Sequence, residues 1–164
     1  MNHTPLDLAN ILEVAGLETQ FQTEEGILRA VKGISFELKA GETLGIVGES
    51  GSGKSVTALS IMNLIPQPPG KIAGGSIHFH SPTAGWTDLA ALAPDDLRRF
   101  RGKEISMIFQ DPMTSLNPVF TCGFQVMEAI MLHQQCDKHV AKEKTIALFE
   151  QVQLPRPAAI FDAY

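Results

Sequence analysis

Thr43-Leu44-Gly45-Ile46-Val47 runs directly into Gly48-Glu49-Ser50-Gly51-Ser52-Gly53-Lys54-Ser55, and this junction constrains the chain more than any other stretch. The first five residues are short, apolar and β-branched in part, which predicts a strand buried on both faces. From Ser55 to Ile65 apolar side chains lie almost all round (Val56, Ala58, Leu59, Ile61, Met62, Leu64, Ile65), which predicts a helix buried in the core. Pro66 is expected to end it, and Pro68-Pro69-Gly70 forbids continuation. Between strand and helix, Gly48, Gly51 and Gly53 let the backbone curl with its N–H groups turned inward, an anion nest. The positive end of the helix adds its own attraction for phosphate. The spacing is G-x-x-x-x-G-K-[ST] at every fixed position. It places Lys54 to reach the β- and γ-phosphates of a nucleotide and the Ser55 hydroxyl to ligate Mg²⁺. The candidate phosphate-binding residues are therefore Gly48, Glu49, Ser50, Gly51, Ser52, Gly53, Lys54, Ser55 and Val56. With no ligand bound, Lys54 is expected to face solvent. The competing reading, a glycine turn that merely caps a helix, is much the weaker of the two.

Other elements follow from periodicity. Ile11 to Phe21 and Leu28 to Leu38 read as two strands around a turn-prone stretch, Gln22 to Gly26. In the second, Ile34, Phe36 and Leu38 alternate with Ser35, Glu37 and Lys39, a half-buried pattern. Ser76 to His80 reads as a strand, Ser81 to Thr87 as a loop, and Pro94 to Arg101 as a helix opened by Pro94 with Asp95 and Asp96 at its positive end. Glu104 to Phe109 is expected to be a second buried strand, and Asp111 to Val119, with two prolines, an ordered loop. Helical patterns resume at Thr121 to Gln135 and Lys138 to Gln151, while Leu154 to Tyr164 has little regular pattern. The aromatics in that last stretch suit a chain that continues.

Composition narrows the class. The chain has 164 residues, enough for one domain with a sizeable core, and 44% hydrophobic residues mark it as folded. A net charge of −5 argues against a nucleic-acid partner. Arg98, Arg99, Arg101 and Lys103 form a local basic run that reads as a solvated helix face. Cys122 and Cys136 make no disulfide framework and have no metal-ligand spacing. His78 and His80 would share one strand face, but a metal pair would lack a third ligand nearby. No stretch is apolar and long enough to span a bilayer, and the first residues have no signal-peptide pattern. The expected location is cytoplasmic, with membrane association only through a partner.

A phosphate loop alone does not name a reaction, since kinases, GTPases, helicases and transport ATPases all use it. The whole run Thr43 to Ser55 resembles the first nucleotide motif of ABC transporter ATP-binding subunits. Ile105 to Pro118, ISMIFQDPMTSLNP, resembles their glutamine loop in the form typical of the dipeptide, oligopeptide and nickel importer group. Ala30-Val31-Lys32-Gly33-Ile34-Ser35-Phe36 and the approach from Asp96-Leu97-Arg98 to Arg101-Gly102 agree.

The resemblance implies an α/β fold of the ABC type of P-loop NTPase. It would have a mixed sheet around a phosphate-loop helix and the start of a helical subdomain, incomplete at the C-terminus. Residues 1–164 would be the N-terminal part of one ATP-binding domain, about 1–110 being the nucleotide-binding core with antiparallel strands and about 111–164 the glutamine loop and the start of the helical subdomain. Gln110 would reach the Mg²⁺ and attacking-water region, so it is the implied catalytic residue and, with Ser55, a metal ligand. Read alone, Gln110 is better explained as a loop-capping amide, and it is the flanking motif that reverses this. Phe21 would stack on adenine, and read alone it is equally an ordinary core residue at a strand end. Trp86 falls in a variable insertion and has no assigned role.

The resemblance also implies ATP and Mg²⁺ as ligands, and transmembrane permease subunits and a second ATP-binding subunit as partners. An extracytoplasmic solute-binding protein would be an indirect partner. The location would be the cytoplasmic face of the inner membrane. An LSGGQ-type signature, an apolar strand ending in Asp-Glu and a switch histidine do not occur in the sequence. The chain is therefore expected to be a fragment, with ATPase activity belonging to the full-length subunit. A nucleotide-binding fragment without turnover, a soluble non-transport ABC ATPase and a P-loop kinase are the alternatives. The last is disfavoured by the absence of a lid-like Arg cluster, and the soluble ATPase by the glutamine loop.

Overall fold

The computed structural model describes residues 9–110 and 115–164. The described chain falls into two compact units, 1–105 and 106–164.

In the first unit, two long strands, β1 (Asn10–Thr23) and β2 (Gly26–Lys39), form a hairpin. The tight turn at Thr23–Gly26 is closed by the Thr23 hydroxyl, which donates to the Gly26 carbonyl at 2.8 Å. β2 carries the expected alternation: Ile34, Phe36 and Leu38 are partly covered, and Ser35, Glu37 and Lys39 are exposed. β3 (Gly70–Ser81) pairs with the other edge of β1, and a short β4 (Gly85–Asp88) pairs with β3. The sheet order is β2-β1-β3-β4, antiparallel at every pairing. One face of it packs a core of Val14, Leu17, Val31 and Ile77 against Leu89, Leu97 and Phe100.

Several expectations are corrected here. The sheet among the described residues is antiparallel and not mixed. Thr43–Val47 forms no strand and pairs with no described residue, and Val47 is 92% exposed. Glu104–Phe109 is likewise no strand. A single bridge joins Arg101 to Ile105, and Ile108 is 97% exposed. Strand character requires a partner edge, and a two-faced apolar strand needs neighbours on both sides; among the described residues neither segment has one. Ser81 to Thr87, read as a loop, contributes to β4, because Trp86 and Thr87 pair with His80 and Phe79.

The phosphate-loop helix is α1 (Lys54–Ile61), shorter than the expected Ser55–Ile65. Asn63, at φ 48°, ends it before Pro66 can. The Asn63 N–H donates to the Ser60 carbonyl at 2.9 Å and the Leu64 N–H to the Leu59 carbonyl at 2.7 Å, the two bonds of a Schellman cap. Nor is α1 buried all round. Its fully buried side chains are two hydroxyl residues, Thr57 and Ser60. Val56 and Ile61 are partly covered and pack on the sheet core. Ser60 Oγ stands 2.8 Å from Thr19 Oγ1 of β1 and donates to the Val56 carbonyl at 2.7 Å. In that arrangement Thr19 donates to Ser60, and both hydroxyls are satisfied in a dry contact.

The helix expected from Pro94 to Arg101 contracts to α2 (Pro94–Leu97), with Pro94 in its first turn, followed by a turn that buries Phe100.

The second unit is helical. α3 (Cys122–Gln134) is capped by Thr121, whose hydroxyl accepts from the Phe124 N–H at 3.2 Å. α4 (Lys138–Gln151) is capped by Asp137, which accepts from the Val140 N–H at 3.0 Å. Such side-chain caps satisfy donors that the helix itself leaves orphaned. A short α5 (Pro157–Phe161), not expected from the sequence, turns Phe161 into a core with Met127, Ile130, Ala141 and Phe149. The Phe161 ring lies where a Cβ on Gly123 would sit, so glycine is required there by close approach.

Ser60→Ala is expected to destabilise the protein by about 1–3 kcal/mol, because it leaves the Thr19 hydroxyl buried without a partner. Adding Thr19→Val should cost less than the two single changes summed. Urea unfolding of the four proteins checks this, and strict additivity would contradict a shared hydrogen bond.

Candidate functional site: the phosphate loop and its cleft

The loop between Val47 and α1 is built around glycine. Gly51 and Gly53 adopt φ of 78° and 94°, a left-handed backbone that side chains disfavour. At Gly53 a second constraint applies: an added Cβ would lie 2.4 Å from the Ala30 carbonyl oxygen of β2. This close approach seats the start of α1 directly on the strand. The Gly53 carbonyl accepts from the Thr57 N–H at 2.8 Å and from the Thr57 hydroxyl at 2.9 Å, so its peptide plane is fixed.

Gly53 is also the N-cap of α1, and no side chain caps that end. The contrast with α3 and α4 is direct, since Thr121 and Asp137 fill the same position there. The first-turn N–H groups of α1, those of Lys54, Ser55 and Val56, have no partner from within the helix. Donors left free at the positive end of a helix form an anion site.

The Lys54 ammonium lies on an exposed part of the loop and is folded back over it. It donates to the carbonyls of Gly48 and Glu49, each at 2.7 Å, and stands 3.4 Å from Ser52 Oγ. The loop is thus cross-tied by the cation it presents to a ligand. A cleft of about 600 Å³ opens beside it, walled on one side by Leu28 to Lys32 of β2 and on the other by the loop. Its charged lining is Arg29, Lys32 and Lys54, with no acidic side chain among the described residues, in a chain of net charge −5. A locally cationic cleft in an acidic protein suits a polyanionic ligand.

Phe21 is not among the residues that line this cleft. Phe21 is half-buried at the end of β1, opposite Leu28, and its ring lies against the backbone of Gly70. Gln110 belongs to the second unit, exposed at a bend. Of the glutamine-loop segment, residues 111–114 lie outside the described residues. Beyond them, Gln125 organises the turn at residues 117–121. Its Oε1 accepts from the Asn117 N–H at 2.8 Å, and its Nε2 donates to the carbonyls of Asn117 and Phe120 at 3.0 Å each. His80 packs edge-on to Trp86, with ring centroids 5.3 Å apart.

Three contributors escaped sequence reasoning. Arg29 and Lys32 line the cleft, but on a lone strand they look like ordinary exposed residues. Arg101, placed in a solvated basic run, is half-buried and bonded to the far end of α1. Only its position after buried Leu97 and Phe100 hints at this.

A strand pair holding a glycine loop on the uncapped start of a helix defines a phosphate-loop nucleotide-binding architecture. Comparison with known proteins makes it specific. A family model described as ABC transporter matches residues 31–159, and the chain belongs to the ABC transporter family. It is 47% identical over 150 residues to an oligopeptide transport ATP-binding protein of Bacillus subtilis, covering 92% of this chain and 40% of the relative. It is 46% identical over 154 residues to a dipeptide transport ATP-binding protein of Escherichia coli, covering 94% and 45%. With a glutathione import ATP-binding protein of Salmonella choleraesuis the identity is 44% over 159 residues, covering 97% and 26%. The chain therefore spans less than half the length of these curated relatives. Among solved structures, the dimeric structure of a bacterial ABC transporter cassette aligns with a TM-score of 0.76 at 20% identity, covering 93% of this chain and 61% of that one. That likeness shows the fold of an ABC cassette.

Gly53→Ala is expected to destabilise the protein by about 1–3 kcal/mol, since strain at positive φ adds to the clash with Ala30. Gly45→Ala meets open space and should change stability by less than about 0.5 kcal/mol. Thermal unfolding of both variants checks the contrast.

Proposed function

We propose that this chain binds the phosphates of ATP and is the ATP-binding part of an importer for peptides or similar small solutes. The observation that carries the reading is the uncapped start of α1, with Lys54 tied over it, opening on a cleft that three cations and, among the described residues, no acid line. The names of the relatives support the importer class, since those cited are transport or import ATP-binding proteins for oligopeptides, dipeptides and glutathione.

In this reading the N–H groups from Gly51 to Val56 receive phosphate oxygens in place of a side-chain cap. Lys54 exchanges its bonds to the Gly48 and Glu49 carbonyls for bonds to the β- and γ-phosphates. A charged donor already oriented at the site loses little freedom on binding. The Ser55 hydroxyl and the Gln110 amide oxygen are neutral oxygen donors of the kind Mg²⁺ accepts. That ion, when bound, would supply neutralising charge between the phosphates. Gln110 would also orient a water. Phe21, opposite the cleft residue Leu28, is the aromatic surface proposed for adenine.

We assign residues up to about 110 to the nucleotide-binding core and those from about 111 to 164 to the glutamine loop and the start of a helical subdomain. Leu116, Val119 and Phe120 are exposed on a turn that Gln125 stiffens, a surface suited to a permease subunit. A second ATP-binding subunit and, indirectly, an extracytoplasmic solute-binding protein complete the assembly. No described helix is long and apolar enough to cross a membrane. The proposed place is peripheral, on the cytoplasmic face of the inner membrane.

Lys54→Ala is expected to weaken Mg²⁺–ATP binding tenfold or more, the loss of a charge-assisted contact of about 1.5–3 kcal/mol, while leaving the circular dichroism of the fold intact. Calorimetric titration of both proteins decides it, and equal affinities would remove Lys54 from the site.

A further inference from the structure

Outside the phosphate loop, Arg101 directs three hydrogen bonds to backbone carbonyls. Its guanidinium reaches the C-terminal end of α1. Nε and Nη2 both donate to the Met62 carbonyl, at 3.0 and 2.8 Å, and Nη2 also donates to the Asn63 carbonyl at 2.9 Å. The Schellman bonds at Asn63 and Leu64 already satisfy the Ser60 and Leu59 carbonyls. Arg101 takes up two of the oxygens that motif leaves over. It does so at the negative end of the helix dipole, where a cation is favoured. No carboxylate among the described residues forms an ion pair with Arg101, so its charge serves these carbonyls.

The base of the fork is equally fixed. Leu97 and Phe100 are each 1% exposed in the sheet core. The Arg101 N–H donates to the Leu97 carbonyl at 3.2 Å, and Gly102 and Ile105 close a turn through a 2.8 Å bond. The Glu104 and Ile105 N–H groups both donate to the Phe100 carbonyl at 3.0 Å. Arg101 and Ile105 are bridged, and five residues after Ile105 the chain reaches Gln110.

We propose that Arg101 is a positioning residue that ties the far end of the phosphate-loop helix to the turn leading into the Gln110 segment. Through it, occupancy of the loop and order in that turn depend on each other. α1 has eight residues, about 12 Å at 1.5 Å per residue, so a tilt at one end moves the other. Two ends of one short, rigid element share one orientation. Phosphate bound at the N-terminus selects the orientation that the fork holds, and linkage makes the effect reciprocal.

The inference rests on the nucleotide-binding reading, and the experiment separates the two. Amide hydrogen exchange is followed with and without Mg²⁺–ATP in the wild-type protein, Arg101→Met and Arg101→Lys, alongside calorimetric affinities. In the wild type, ATP should raise protection at Gly102, Glu104 and Ile105 above the rise at Leu89, whose N–H is bonded to the Ile77 carbonyl of β3. In Arg101→Met that excess should vanish and ATP affinity should fall about fivefold or more. Arg101→Lys keeps the charge but not the fork, so it should restore only part of both. A purely stabilising residue would lower protection everywhere and leave the ATP-induced excess in place. That excess persisting in Arg101→Met, or being absent from a wild type that binds ATP, overturns the coupling alone. A wild type that does not bind ATP overturns the nucleotide reading and this inference with it.

Discussion

Gly53 sits so close to the Ala30 carbonyl that no side chain can separate them, and the site depends on this contact. It sets the start of α1 on β2, the strand that also supplies Arg29 and Lys32 to the cleft wall. A residue at that position with a capping side chain would have filled the anion site and pushed the helix away. Glycine does neither, at the cost of a helix end with no cap. The remaining anchors compensate. Thr19 and Ser60 hold the last turn of α1 on β1, partly covered Val56 and Ile61 pack on the core, and Arg101 holds the carbonyls just beyond it. The helix is fixed along its length so that its first turn can be left open.

The phosphate loop was legible because its chemistry is contiguous. Backbone donors, Lys54 and Ser55 come from neighbouring residues, so spacing alone assembles them. The hairpin β1–β2 was legible for a similar reason, since period-two alternation at Ile34, Phe36 and Leu38 is a local signal. So were α3 and α4, whose starts are marked by Thr121 and Asp137. What failed was what a segment cannot carry by itself. Thr43–Val47 and Glu104–Phe109 have strand composition, but a strand is a relation between two segments, and among the described residues neither finds its partner. Their exposed apolar side chains, Val47 and Ile108 foremost, are surfaces that further parts of a sheet would cover.

The end of α1 shows the opposite error. Apolar periodicity continues through Leu64 and Ile65, yet Asn63 tolerates the left-handed conformation and its Schellman bonds stop the helix. Arg101 was misread because an arginine in a basic run looks solvated until the buried Leu97 and Phe100 before it turn it inward. Arg29 and Lys32 were missed because a strand does not announce which loop will face it. In each case local pattern gave the element or the residue type, and the tertiary neighbour gave the role.

The central claim is that α1 receives phosphate at its open first turn. Backbone amide NMR of the isotope-labelled protein, titrated separately with Mg²⁺–ATP and with adenosine, tests it most directly. Mg²⁺–ATP should produce its largest shifts at Gly51 to Val56, and adenosine at the same concentrations should leave those amides unmoved. Equal shifts from both ligands, or shifts from ATP confined to residues outside the loop, would contradict the account.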